Sequence, residues 1–127
     1  MSSSKTRYKN KRIFVDGAMA STNTINSSEV DISGGQMVSL NISWTGTPNG
    51  TFAVQIPATF STDGLDTVLT WATLPVVTTS GSAFTAAGSA SSHQVEITAI
   101  AASRIRLQYV NSSSSGTLNA WLTLKGE

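Results

Sequence analysis

The sequence predicts an all-β protein, a single antiparallel β-sandwich that is jelly-roll-like and has about eight strands. Apolar and polar residues alternate with a period of two along several segments, as expected for strands that bury one face of a sheet. Turn-forming residues separate these segments at short intervals, and no long segment has a helical period. A chain of 127 residues without cysteine is long enough to form one domain with a packed core.

The first third of the chain is predicted to contain an arm, a short strand and a turn-rich region. We expect residues 1–12 to form a flexible basic arm and residues 13–127 to form the sandwich domain. Residues 13–18 are expected to be the first short strand, ended by Asp16-Gly17. The region 19–35 is polar and closes on Gly34-Gly35, and its predicted inward-facing residues are Ile25, Val30 and Ile32.

The clearest predicted strand covers residues 37–44 and places its alternate apolar residues on one face: Val38, Leu40, Ile42 and Trp44. Asn49-Gly50 follows, and both residues tolerate positive φ, which is typical of a hairpin turn. The sequence therefore predicts a hairpin whose returning strand is 51–56. Pro57 should end this strand or mark a sheet edge.

The rest of the chain is predicted to hold two loops and five strands. Residues 58–66 are expected to be a loop, followed by a strand at 68–74. Residues 76–92 read as a long surface loop around one short strand at 82–85. A strand at 94–99, one helical turn at 99–103 and a closing hairpin complete the prediction. The strands of this hairpin are centred on two alternating segments, 104–109 and 117–125.

Charge is distributed unevenly along the chain. Five of the eight basic residues lie in the first twelve positions: Lys5, Arg7, Lys9, Lys11 and Arg12. The remainder has three basic and seven acidic residues, a net charge of −4. A basic arm can dock on an acidic protein surface, bind nucleic acid or stay solvated. Because Tyr8 is its only aromatic residue, we favour docking on a protein assembly over nucleic acid.

The sequence does not predict an enzyme or a cofactor. Its single histidine, His93, is expected at a loop or strand edge, and no G-x-S-x-G motif is present. One histidine without cysteine also argues against zinc. Asp63 and Asp66 could offer oxygen ligands to Ca²⁺, although a plain Asp-Gly turn explains them better. We therefore assign no catalytic or metal site.

The tryptophans receive different predictions. Trp44 is in phase with the core residues of its strand, whereas either parity fits Trp71. Trp121 is out of phase with the apolar residues around it, so we expect it at an interface with a sister subunit. A sugar-stacking platform is the alternative at this position.

Several motifs resemble small β-sandwich virion proteins of tailed bacteriophages, over about residues 38–125. They are Gly50-Thr-Phe-Ala-Val-Gln55, Asp63-Gly64, Trp71-Ala-Thr-Leu-Pro75, Arg104-Ile-Arg-Leu-Gln-Tyr109 and Ser115-Gly-Thr-Leu118. The resemblance implies a capsid decoration (cement) protein or a head or tail accessory subunit. It also implies a homo-oligomer, with a trimer favoured, that contacts the major capsid protein or other virion proteins.

A second resemblance supports an alternative function. The Asp63-Gly64 to Trp71 segment and Arg104-Ile-Arg-Leu107 are similar to discoidin-type carbohydrate-binding domains, although the paired cysteines of that family are missing. This implies a carbohydrate- or receptor-binding module of a phage tail or fibre. The chain lacks the apolar core of a signal peptide and a membrane-spanning apolar run, so we expect it to fold in the host cytoplasm and end in the virion.

Overall fold

A computed structural model describes residues 7–20, 22–32, 37–65, 67–74, 84–87, 89–98 and 102–126. Within these ranges the chain forms ten strands and contains no helix that could span a membrane. The strands are β1 (Arg7–Met19), β2 (Thr24–Asn26), β3 (Val30–Asp31), β4 (Met37–Gly46), β5 (Asn49–Phe60), β6 (Val68–Leu74), β7 (Thr85–Ala87), β8 (Ser91–Thr98), β9 (Arg104–Ser113) and β10 (Gly116–Gly126).

The strands form two antiparallel sheets. Sheet I has the order β1-β10-β4-β8, and sheet II has the order β2-β9-β5-β6, with β3 also on β9 and β7 also on β5. Because β2 and β3 share one edge of β9, and β6 and β7 share one edge of β5, the ten strands fill eight positions. This order is that of a two-sheet jelly roll built from Greek keys. The predicted jelly-roll-like sandwich is confirmed.

The core lies between the two sheets and follows the predicted alternation. All four apolar residues chosen on β4 are buried, including Trp44, which is 4% exposed. Sheet II contributes the inward side chains of β5 and β9, among them Val54, Leu107 and Tyr109. β4, β8, β9 and β10 bury alternate residues and turn the other residues outward, which is the packing expected for two stacked sheets.

Both predicted hairpins are wrong, because each connects strands of different sheets. β4 and β10 belong to sheet I, whereas β5 and β9 belong to sheet II. The two connections cross between the sheets side by side, with the Thr47 amide donating to the Ser115 carbonyl at 3.0 Å. The turn residue with positive φ is Gly46, at 86°, whereas Asn49 and Gly50 already belong to β5.

Gly50 has a packing role instead of a turn role. A Cβ atom at this position would lie 2.4 Å from the Tyr109 hydroxyl oxygen and 2.3 Å from the Val110 carbonyl oxygen. Glycine therefore lets β5 pass directly against the Tyr109 ring, which is fully buried. Glycine often indicates a turn, but at position 50 it permits the close approach of β5 to Tyr109.

The first strand is longer than predicted. β1 begins at Arg7, and it pairs with β10 from Arg7 opposite Gly126 to Met19 opposite Gly116. Residues 7–12 therefore form the edge of sheet I and are not an arm. Charged residues fit an edge strand because their backbone completes the sheet while their side chains stay in solvent. Lys5 lies outside the described residues.

Two bulges in β1 explain why its sequence did not read as one strand. The register shifts between Arg12 and Phe14 and again between Phe14 and Gly17. These shifts bring both Ile13 and Phe14 into the core and break the alternation. The strand then continues through Asp16, whose φ is 48°, so Asp16-Gly17 bends β1 without ending it.

Smaller differences occur elsewhere. The turn-rich region 19–35 contains the short strands β2 and β3; Val30 and Ile32 are buried as predicted, and Ile25 is partly buried. β7 overlaps the short strand predicted at 82–85 only at Thr85, and β8 begins at Ser91, before the predicted start at residue 94. Most of the predicted long loop and residues 99–101 of the predicted helical turn lie outside the described residues.

The hairpin that the structure does contain joins β5 to β6. β5 continues past Pro57 to Phe60, and the Ser61 amide donates to the Thr67 carbonyl at 2.8 Å to close the turn. Pro57 lies beyond Gln55, the last β5 residue paired with β9, so it occupies an edge as the sequence allowed. Beyond residue 55, β5 pairs only with β6 among the described strands.

Candidate interaction surfaces

His93 belongs to the core and not to a reactive cleft. It lies on β8, an edge strand of sheet I, but its ring is buried. Its Nε2 atom is 2.7 Å from the Thr85 carbonyl oxygen, and its ring centroid lies 5.3 Å from that of Trp44 and 5.6 Å from that of Phe84. His93 thus joins β7 to an aromatic cluster. Across the described ranges, no three His, Cys, Asp or Glu side chains gather as a metal site would require.

Asp63 stabilises the β5–β6 turn. Its Oδ1 atom accepts hydrogen bonds from the Ser61 hydroxyl and from the Leu65 amide, the latter at 2.9 Å. These bonds, that of Ser61 first, hold the pKa of the Asp63 carboxyl below its ordinary value. Gly64, at a φ of 82°, makes the bend. Asp66, the other predicted candidate, lies outside the described residues.

Four of the five predicted partner-binding residues, all but Lys5, lie on the β1 edge of sheet I. Lys9, Lys11 and Arg12 are exposed, and we call these three residues the basic edge. Pairing with β10 sets Lys9 opposite Leu124, Lys11 opposite Leu122 and Arg12 opposite Trp121. Successive residues of a strand point to opposite faces, so the lysines and Arg12 flank the edge on both sides.

Trp121 and Arg12 form one cluster on the outer face of sheet I. Trp121 is 37% exposed, and the Arg12 guanidinium carbon lies 5.3 Å from the centre of its ring. Arg12 also donates to Asn119 Oδ1 and lies 3.9 Å from Asp16 Oδ1. The Asn119 amide completes the cluster by donating to Asp16 Oδ1 at 3.2 Å. The predicted basic site and the predicted self-association residue therefore meet at Arg12, while Lys9 and Lys11 point to the other side of the same edge.

The rest of this outer face is polar. Asn41 of β4 lies beside Trp121, and Gln94 of β8 lies beside Asn41. With Ser43 and Ser92 they line a shallow groove at the indole. The β4 and β8 side chains around the indole are thus short and uncharged, and the charged residues Glu96 and Lys125 lie further along the same face.

The outer face of sheet II carries a ladder of polar side chains that sequence reasoning missed. Trp71 projects onto this face opposite Pro57, and the Arg106 guanidinium carbon lies 4.3 Å from the centre of its ring. Arg106 Nε donates to Gln55 Oε1 at 2.7 Å, and Gln55 Nε2 donates to Gln108 Oε1 at 3.4 Å. Partial burial lowers the pKa of Arg106 from its ordinary value. The ordinary value is so high that arginine is still charged at neutral pH.

This ladder limits what Trp71 can do. One face of its indole ring is covered by Arg106, so that face is not free to stack on a sugar. The contact instead ties β6, across β5, to β9. No short motif announces such a ladder, because its members come together only through the strand register.

Apolar side chains are exposed on the β5–β6 hairpin. Phe60 is 42% exposed, Leu65 is 76% exposed and Leu69 is 61% exposed. They account for three of the seven large hydrophobic residues exposed within the described ranges. Grouped exposure of this kind marks interaction sites more often than scattered exposure does. From the sequence, residues 58–66 are predicted to form a loop, and its apolar residues are not predicted to be a contact surface.

No protein-family model matches the sequence, and no curated protein matches it. Among solved structures, the crystal structure of the SPBc2 prophage-derived protein YomS is similar, with a TM-score of 0.56. The match covers 97% of this chain and 98% of that chain, at 7% sequence identity. At this identity the likeness shows that the two chains share an overall fold over nearly their whole length.

Proposed function

We propose that this protein is a structural subunit of a bacteriophage particle, and specifically a capsid decoration subunit that binds the assembled shell and stabilises it. The observation that carries the proposal is the cluster of Arg12 and Trp121 on the outer face of sheet I, at the same β1 edge where Lys9 and Lys11 are exposed. The phage setting is supported by the motif resemblance over residues 38–125 and by the fold shared with the prophage-derived protein YomS.

The sheet I surface has the properties that docking on a protein shell requires. Lys9 and Lys11 are exposed cations that attract an acidic surface, and Trp121 offers a rigid aromatic contact already held in place by Arg12. A stable contact buries about 800 Å² on each partner, which one face of a four-stranded sheet can supply. Binding to the assembled shell alone would stabilise the shell by mass action.

The proposed role needs no enzymatic activity and no cofactor. The partners would be the major capsid protein or other virion proteins, and the protein would be made in the host cytoplasm and then join the virion. Several copies would act together on one shell, with contacts between neighbouring subunits adding to those with the shell.

The test is binding to purified shells that lack this chain, taken from a phage whose gene for it is deleted. We expect the native protein to co-sediment with these shells and the variant Lys9→Gln/Lys11→Gln to bind at least tenfold more weakly, with a smaller salt dependence. The matched control, Thr24→Glu/Thr51→Glu, lowers the net charge equally on sheet II and should bind normally. Equal binding by the lysine variant would remove the proposed docking surface.

Carbohydrate or receptor binding at a tail or fibre is the second candidate. It depended on Trp71, whose ring is partly covered by Arg106, so the geometry favours shell docking. A glycan array with the native chain and with Trp71→Ala separates the two. A glycan signal that the substitution abolishes would restore this candidate.

A further inference from the structure

We propose that two copies of this chain pair through the free edge of β6 (Val68–Leu74). The strands would run antiparallel about a two-fold axis at Ala72, so that sheet II continues from one copy into the other. This goes beyond the proposed function, because it identifies a contact between subunits and does not depend on the phage setting.

The first support is the unpaired edge itself. β6 hydrogen-bonds to β5 along one side, and among the strands that the structure describes none pairs with its other side. An edge strand presents a row of backbone donors and acceptors that another strand can complete. Natural sheets block such pairing with charged residues, proline, bulges or very short strands.

The other sheet edges carry these protections. β1 has the basic edge and two bulges, and β8 carries Glu96. β2, β3 and β7 are only three, two and three residues long. Each of these edges is therefore a poor template for another strand.

β6 lacks most of these protections. Its seven residues, Val-Leu-Thr-Trp-Ala-Thr-Leu, include no charge, no proline and no glycine. Its pairing with β5 shifts register twice towards the turn, between Trp71 and Thr70 and between Thr70 and Val68. Residues 71–74 pair regularly, and Ala72 and Thr73 are exposed. Among the described strands, β6 is thus the one sheet edge longer than three residues that carries no charged side chain.

A second copy of the chain is the partner that fits this edge. In an antiparallel pair about a two-fold axis, the residue at the axis lies opposite the same residue of the second copy. A charged residue there would meet a like charge and repel it. A strand without charges meets no such penalty. Pairing about Ala72 would set Trp71 of each copy opposite Thr73 of the other, so each indole would lie beside a small uncharged side chain. A two-fold contact uses up both edges and closes at two subunits.

The experiment is sedimentation equilibrium of the full chain over a concentration series. We expect the native protein to approach twice the single-chain mass of 13.3 kDa. Ala72→Lys and Ala72→Glu each place like charges at the axis, so each variant alone should remain monomeric. An equimolar mixture should form a heterodimer, because opposite charges then meet across the axis. Val15→Lys, at an apolar residue 63% exposed on β1, is the control and should dimerise normally.

The outcomes are decisive. Circular dichroism of each variant checks that the sandwich is intact. A native chain that stays monomeric at every concentration overturns the proposal, as does a trimer, which a single two-fold contact cannot build. Dimers that survive both Ala72 substitutions would show that association uses another surface, such as that of Trp121. Shell binding is tested with Lys9 and Lys11 on the other sheet, so either proposal can fail alone.

Discussion

Replacing Gly50 with alanine tests the topology of the fold directly. The added methyl group would lie 2.4 Å from the Tyr109 hydroxyl oxygen and 2.3 Å from the Val110 carbonyl oxygen. Both atoms would have to retreat by about 1 Å to reach ordinary contact. The Val110 carbonyl lies in the β9 ladder beside β5, and the Tyr109 hydroxyl donates to Asn111 at 2.6 Å, so neither can move freely.

The expected cost follows from this crowding. Overpacking a core typically costs about 1–3 kcal/mol, and backbone atoms on one side of the clash place Gly50→Ala at about 3 kcal/mol. For a domain of this size that is a fall of roughly 10 °C in the melting temperature. Gly64→Ala is the control, because its Cβ would meet no atom within 4 Å and its φ of +82° alone should cost about 1 kcal/mol.

Thermal and urea unfolding followed by circular dichroism measure both costs. A third variant, Gly50→Asn, separates the two explanations of this glycine. If Gly50 served a hairpin turn, asparagine would be tolerated better than alanine, since asparagine accepts positive φ. The structure predicts that asparagine is at least as harmful, because it is larger. A Gly50→Asn protein as stable as the native one would refute the assigned packing of β5 on β9.

Two further outcomes are expected. Burial raises the pKa of Tyr109, so the folded state binds the proton of the Tyr109 hydroxyl more tightly than the unfolded state does. The resulting stability is complete below about pH 10, the ordinary tyrosine value, and is lost as pH rises further; thermal unfolding between pH 8 and 11 should show this loss, and Tyr109→Phe should lack that slope. Arg106→Ala should cost about 0.5–2 kcal/mol by uncovering Trp71; hydrogen exchange should quicken in β6 and stay unchanged in β10, and equal protection in both proteins would contradict the role given to the ladder.

Alternation was enough to predict the sandwich and most of its core. Leu40, Ile42 and Leu122 could be placed inside from the sequence because a strand with one wet face repeats every two residues. The same rule placed Trp121 outside, on the face where Arg12 covers it. A local pattern is enough to predict which face of the sheet a side chain occupies, since the face depends only on the position of the residue along its own strand.

Strand pairing could not be predicted, because turn residues do not specify which sheet receives the next strand. Asn49-Gly50 has the composition of a hairpin, yet the chain crosses to the other sheet at Gly46 and glycine is needed beside Tyr109. The ladder from Trp71 to Gln108 escaped notice for the same reason. Its members are far apart in sequence and meet only through the register of β5, β6 and β9.

The boundary of the basic segment was missed on different grounds. Alternating lysines and polar residues suggested a solvated arm, but an edge strand tolerates the same composition. β10 supplies the backbone partners that turn residues 7–12 into a strand. Lys9, Lys11 and Arg12 are therefore held by a sheet, and under the proposed function a partner would meet them without ordering a flexible segment.

The measurement closest to the central claim is the copy number of this chain in gradient-purified particles of the phage whose genome encodes it, determined by quantitative mass spectrometry. A decoration subunit should be present in numbers comparable with the major capsid protein, and particles without it should lose their DNA at a lower temperature. Its absence from purified particles would contradict a structural role in the virion. A handful of copies on each particle would contradict shell decoration and point to the tail.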